Sequence, residues 1–235
     1  MSLVPPERTR AASPRDAASL ILVDRSGRVP KVLMGRRHHG HVFMPGFMVF
    51  PGGRVEAADR SMRVYGSLAP HTERNLLARV SRPSPGKARA LALCAIRETF
   101  EETGLLLGET GLGAPPATSA PWRAFAAREV YPAPEALHFV ARAITPPRHP
   151  RRFDTRFFVA DAANIAGRTD GVIGPDTELV ELKWLGFDET QDENLADITR
   201  KILSEVVRRL AEGLERDLPV PLFHERRGTW RRDEI

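Results

Sequence analysis

An α/β sandwich with a mixed β-sheet is the fold class the sequence predicts, and three observations predict it. Short runs rich in branched apolar residues open the chain and recur to about residue 187. Helical patterns are interspersed among them, the order expected when helices layer against a sheet. A length of 235 residues with no sign of a second core suits one domain with extensions.

The elements follow in order. AASLILVDR (17–25) alternates poorly but is branched and apolar, the pattern of a buried strand. SGR turns the chain, and VPKVLMGRR (29–37) completes a hairpin. HHGHVFMPG is a loop, and FMVF (47–50) is a short strand running into PGG. The pattern is poor from Arg54 to about Gly86, apart from a short helix over 70–80 with Thr72 as its cap. SRPSPG (81–86) breaks the chain before KARALALCAIRETFEET (87–103), a strong helix closed by Gly104 in the C-cap role. Extended chain resumes at 105–107, 108–121 is loop, and 122–130 is helical. Strands are expected over 135–144, 155–160 and 178–187. In the last helix, 194–214, Leu195, Ile198, Ile202, Val206, Leu210 and Leu214 form one apolar stripe that packs on the domain or on a partner subunit. The resulting division is a flexible arm over 1–16, a domain over 17–215 with an insert at about 60–86, and a proline-broken, loosely ordered tail over 216–235.

Composition narrows the function classes. Hydrophobic content of 42% and charged content of 28% are those of a soluble globular chain. No apolar stretch reaches the roughly 18–20 residues that span a bilayer, so no membrane is expected as partner. The N-terminus lacks the apolar core of a secretory signal, and RRDEI is no recognised address. A lone Cys94, set in an apolar helical run, forbids an intrachain disulfide and fits a reducing, cytoplasmic setting. The net charge is +5, with Lys31, Lys87, Lys183 and Lys201 the only lysines among the basic residues. Arginine favours bidentate contact with phosphate, which points to an anionic ligand beside the plainer reading of compositional bias. Aromatic content of 7% weighs against a nucleic-acid surface.

The chemistry concentrates in RETFEETGLL (97–106). On a helix, Glu98, Glu101 and Glu102 are three and four positions apart and share one face, while Leu93, Ile96 and Phe100 face the core. Carboxylates so crowded repel one another unless cations neutralise them, and hard oxygen donors suit Mg²⁺ or Mn²⁺. Arg97 stands beside Glu98 to fix a carboxylate's orientation.

The segment resembles the second half of the Nudix box, with Arg97, Glu98, Glu101, Glu102, Gly104 and Leu105 in place and Thr99 where an apolar residue is usual. FPGGRVEAAD (50–59) is similar to the front half, a glycine followed after five residues by an acid: Gly53 and then Asp59, which stands for the usual glutamate. Between Asp59 and Arg97 lie 37 residues where the family has seven. Loop closure costs only about 0.6 kcal/mol per doubling of length, so an insert can bulge out and leave both halves together. Asp59 is the residue whose place the insertion puts in question, and it is treated as secondary. The stretch from Gly46 to Gly53 also resembles the signature of the coenzyme A diphosphatases of this family, which ends in a glycine, three residues and FPGG. VLMGR opens it, whereas Arg37, His38 and Val42 depart from it. The insert and LCAIRETFEETGLLL look like the animal peroxisomal branch that cleaves coenzyme A and its esters.

The resemblance implies a Nudix-type α/β/α sandwich with a mixed β-sheet. It implies hydrolysis of the diphosphate in a small-molecule nucleotide derivative, with CoA or acyl-CoA preferred over ADP-ribose, dinucleotides or capped RNA. A non-catalytic nucleotide-binding module on the same fold is the contrasting class. It implies Glu98, Arg97 and Glu102 as the catalytic set, and Glu98, Glu101, Glu102 and the Gly52 carbonyl as holders of Mg²⁺ or Mn²⁺. Arg36, Arg37 and Gly53 are expected at the substrate, and Glu178 or Glu181 is expected to supply a further carboxylate. Family habit and the stripe on 194–214 suggest a homodimer.

Overall fold

The structure, a computed structural model, describes residues 12–41, 44–117 and 119–235. Val42 and residues 1–11 of the expected arm lie outside the described residues. The strands in the first half are β1 (Arg15–Asp24), β2 (Lys31–Arg37), β3 (Met48–Val49), β4 (Gly52–Arg54) and β5 (Leu105–Glu109). Those in the second half are β6 (Tyr131–Pro132), β7 (His138–Ile144), β8 (Phe153–Asp161), β9 (Ile165–Arg168), β10 (Leu179–Gly186), β11 (Pro221–Arg226) and β12 (Thr229–Glu234). The helices are α1 (Pro70–Leu77), α2 (Pro85–Thr103), α3 (Ala120–Ala127) and α4 (Asp197–Glu212).

The main sheet runs β10-β2-β1-β8-β7-β11-β12, with β3 added to β2 and β4 to β1. β1 pairs with β8 in parallel and with β2 and β4 antiparallel, so the sheet is mixed. β5 joins β6 and β9 in a smaller antiparallel sheet. Side chains alternate across each strand, so β1 feeds two cores. Ala18, Leu20 and Leu22 pack with Leu91, Cys94, Ile96, Leu76, Trp122 and Phe125 beneath the first three helices. Ile21 and Val23 pack with Val32, Val140, Ile202 and Val206 beneath α4. A strand covered on both faces carries no hydrophobic alternation, which is why residues 17–25 read as a plain apolar run.

α2 is set by its ends. Ser84 caps it, its Oγ accepting the Lys87 N–H at 3.2 Å, and Pro85 occupies the first turn. Gly104 ends it at φ +76°, and a Cβ there would collide with the Thr169 carbonyl. Only glycine meets both demands.

Four expectations are corrected. Thr72 does not cap α1: Ala69 takes that position without a side-chain bond, and Thr72 is buried inside the helix. The arm is shorter than 1–16, because β1 already starts at Arg15, whose N–H bonds the Arg152 carbonyl at 2.9 Å. The insert does not bulge free: Met62, Leu68 and Leu76 are buried in the core that holds α2, and Arg89 donates to the Met62 carbonyl. The tail is not loosely ordered, since β11 and β12 form a hairpin, β11 runs parallel to β7, and Val220 and Ile235 exchange backbone bonds of 2.9 Å. Pro221 is harmless as the first residue of a strand, and Val220, Leu222 and Phe223 supply the burial that holds it.

The stripe on 194–214 lies on the chain's own sheet: Leu195, Ile202, Val206 and Leu214 are buried, with Ile198 and Leu210 packed beside them. No helix among the described residues is long and apolar enough to cross a membrane.

Candidate active site

The site forms where β4 passes under the last two turns of α2. Leu20 N–H bonds the Pro51 carbonyl at 3.0 Å, and Gly52 and Gly53 pair with Ser19 and Ala18 of β1. A Cβ on Gly53 would fall inside the Glu98 carboxylate, and one on Gly52 would strike the Ser19 Oγ. The two glycines therefore let a backbone strand touch the acidic face of the helix. The Cys94 thiol donates to the Gly53 carbonyl at 3.4 Å. Burial pushes that thiol well up, so Cys94 is a packed, unreactive side chain.

Arg97 is the hub, only 2% exposed. Its Nε and Nη2 grip the two oxygens of Asp59 at 2.7 and 3.0 Å. Its Nη1 reaches Glu98 at 2.8 Å and Glu101 at 2.7 Å, and Nη2 also donates to the Arg54 carbonyl at 2.9 Å. Burial opposes the guanidinium's charge, yet the bonds to Asp59 and the charges of Glu98 and Asp59 raise its pKa. Asp59, 0% exposed, also accepts the Glu56 N–H at 2.8 Å. The insertion therefore leaves Asp59 against Arg97, in the place that chain separation alone put in question. The insert begins only after Asp59, and its own core contacts anchor it.

Burial works against charge on the carboxylates. Burial lifts Glu98 to about 7, with Arg97 pulling down and Glu101 adding to the rise. Burial also raises Glu101 against the pull of Arg97. Glu102, 7% exposed, is held well above the ordinary carboxylate range by burial and then by the charges of Glu178 and Glu98. Arg37 and the Gly52 N–H, 3.3 Å from its Oε2, offset only part of that. Thr99, the residue out of pattern, is buried and spends its hydroxyl on the Ala95 carbonyl at 2.8 Å.

Of the expected distant residues, Glu178 is brought to the site: it acts on Glu102 and pairs with Arg37 at 3.0 Å. Glu181 faces Arg36 at 2.8 Å instead, in a network with Lys183 and Glu193. Arg36 and Arg37 are thus both engaged by carboxylates of their own sheet edge. Sequence reasoning missed Glu56 and Glu193. Glu56, whose charge reaches Glu101, stands in GGRVEAAD three residues before Asp59 and was legible there. Glu193 lies 157 residues from Arg36, and no local pattern announces it.

Among the described residues, no three His, Cys, Asp or Glu side chains converge into a ready-made metal cluster. Arg97 draws Glu98 and Glu101 to itself, and Glu102 turns to Gly52. The donor set still fits a hard divalent cation. Three buried or half-buried carboxylates outnumber the positive charge beside them, and every donor is an oxygen.

An α/β/α sandwich with a glycine turn against an Arg-centred acidic helix is the Nudix architecture. A NUDIX hydrolase from Alicyclobacillus acidocaldarius has a similar fold, with a TM-score of 0.60 and 27% identity over 82% of this chain and 90% of that one. The NUDT19 Nudix domain family matches residues 14–197, and the chain belongs to that family. It is 40% identical over 112 residues to the acyl-coenzyme A diphosphatase NUDT19 of Gallus gallus, an alignment covering 40% of this chain and 29% of that protein. It is 34% identical over 96 residues to the protein of the same name from Xenopus laevis, covering 33% of this chain and 25% of that protein. The matches therefore span less than a third of the length of these curated relatives.

Proposed function

We propose that the chain is a metal-dependent hydrolase of the diphosphate bond in a nucleotide derivative, with CoA or acyl-CoA as preferred substrate. The products are phosphopantetheine and adenosine 3′,5′-bisphosphate. The observation that carries this reading is the excess of buried carboxylate around one guanidinium, packed on a glycine turn that leaves no room for a side chain. The names of the two NUDT19 relatives support the choice of substrate.

Glu98, Glu101 and Glu102, with the Gly52 carbonyl, are the residues to hold Mg²⁺ or Mn²⁺. Such a cation neutralises phosphate oxygens and lowers the pKa of a bound water. Arg97 orients Glu98 and Glu101, and Asp59 orients Arg97. Glu98, lifted to about 7, is suited to hold or pass a proton at neutral pH. Glu102 sits deepest, and Glu178 is the second acid within its reach. Gly53 lets the glycine strand lie against the Glu98 carboxylate, beside the expected substrate, whereas Arg36 and Arg37 must exchange their carboxylate partners before either meets a ligand.

The test is a substrate panel of CoA, acyl-CoA, ADP-ribose, dinucleotides and capped RNA, with Mg²⁺ or Mn²⁺ and products separated by chromatography. Release of adenosine 3′,5′-bisphosphate from CoA is the expected result; turnover of the other substrates without it sinks the CoA preference. The reading of a reducing, cytoplasmic setting rests on the single cysteine of the sequence, Cys94. A homodimer now rests on family resemblance alone, because α4 spends its stripe within the chain, and sedimentation decides it.

A further inference from the structure

The arginines that sequence reasoning assigned to the ligand are neutralised, while others beside the acidic face are not. A groove of about 520 Å³ opens next to the site, lined by Arg15, Asp16, Arg54, Val55, Glu56 and Arg60. It adjoins the acids directly. The Arg54 carbonyl accepts from Arg97, Arg60 follows Asp59 in the chain, and the charge of Glu56 reaches Glu101.

Its charge is one-sided. Among the described residues no carboxylate pairs with Arg15 or Arg60, and both side chains are exposed. Asp16 is already spent on Lys87 and Arg156, each at 2.8 Å. Arg54 and Glu56 stand 3.6 Å apart, both about half exposed, a geometry worth little in water. Three arginines therefore line the groove with one weakly held acid, close to a face where acids are in excess. Arg15 and Arg54 are carried on paired strands, and Val55 N–H bonds the Asp16 carbonyl at 3.0 Å, so the wall is built on rigid backbone. Planar guanidinium groups on such a wall match the oxygens of a phosphomonoester.

We propose that the groove formed by Arg15, Arg54 and Arg60 is a subsite for a second phosphate of the substrate, a phosphomonoester separate from the diphosphate cleaved at the glutamates. The inference rests on the function proposed above, in which the 3′-phosphate of CoA is that group. The subsite makes the enzyme a reader of a terminal phosphate as well as a cutter of an internal one.

The experiment compares CoA with dephospho-CoA, which has the same diphosphate and lacks only the 3′-phosphate. Wild type, R15A, R60A, R60K and the R15A/R60A double variant are assayed with both substrates at two ionic strengths. The kcat/KM ratio of CoA to dephospho-CoA is expected to fall about tenfold in the double variant, through KM, as lost charge-assisted bonds imply. R60K is expected to keep more of the ratio than R60A, and added salt to narrow the difference. Equal losses on both substrates, or none on either, overturn the subsite while leaving the hydrolase reading intact. If wild type cleaves neither substrate, the CoA preference fails. Calorimetry with adenosine 3′,5′-bisphosphate against 5′-AMP then still decides the subsite. Tighter binding of the bisphosphate that R15A/R60A abolishes supports it, and equal binding of the two ligands overturns it.

Discussion

α2 and α4 lie on opposite faces of one sheet, and both carry arginine among glutamates, yet they do different things with them. On α4, Arg208 pairs with Glu205 and with Glu212 at 2.9 Å, and Arg209 meets Glu205 at 3.2 Å, two cations for two acids. On α2, one Arg97 serves Glu98, Glu101 and Asp59 from the front half of the box, while Glu102 has no guanidinium of its own helix. The first arrangement closes its charge balance and stiffens a helix. The second leaves negative charge out of water with too little to match it, a condition a divalent cation relieves. Residue type is shared; the ratio of charges and the depth of burial separate a scaffold from a site.

Four measurements break or sharpen that contrast. Replacing Arg97 by Met has the largest expected effect, because it strands Asp59, Glu98 and Glu101 with no cation. Urea denaturation is expected to show a loss of about 3–5 kcal/mol. Next, Glu98→Gln and Glu102→Gln are expected to lower turnover at least about a hundredfold. Neither should lower the thermal midpoint of the metal-free chain, since each replaces a carboxyl whose charged form burial disfavours. A fall in midpoint comparable to that of Arg97→Met would make the acids structural and erase the difference between the helices.

The third measurement is pH. Glu98 rises from an ordinary 4.5 to about 7 on folding, so the folded state binds its proton more tightly than the unfolded one. The stability from that group is full below about pH 4.5 and is lost as pH rises through about 7. The metal-free chain is thus expected to lose midpoint temperature across that window, and Mg²⁺ to restore it at the upper end. The smallest effect is on α4: Arg208→Ala is expected to cost less than about 1 kcal/mol by the same denaturation.

Much of this was legible in the sequence because the signals were local. The helix around RETFEETGLL declared its acidic face by spacing, and Gly104 declared its end. The stripe of α4 gave its buried side, though not which surface it covers. What stayed hidden depended on residues far apart in the chain. Whether Asp59 reaches Arg97 depends on how 37 intervening residues fold, and they fold by sending Met62, Leu68 and Leu76 into the core. That Arg36 and Arg37 are already engaged depends on Glu178, Glu181 and Glu193, brought in by β10 and the loop after it. The closing hairpin was missed because two prolines and a run of charges outweighed three apolar residues that find β7.

The insert between the halves of the box has one more consequence. Because Met62, Leu68 and Leu76 seal the flank of α2, the detour has stopped being optional. Splicing the two halves back into an unbroken motif would leave three holes in the wall behind the glutamates, and a short linker brings nothing to plug them. A chain that has taken this route cannot retrace it by small steps.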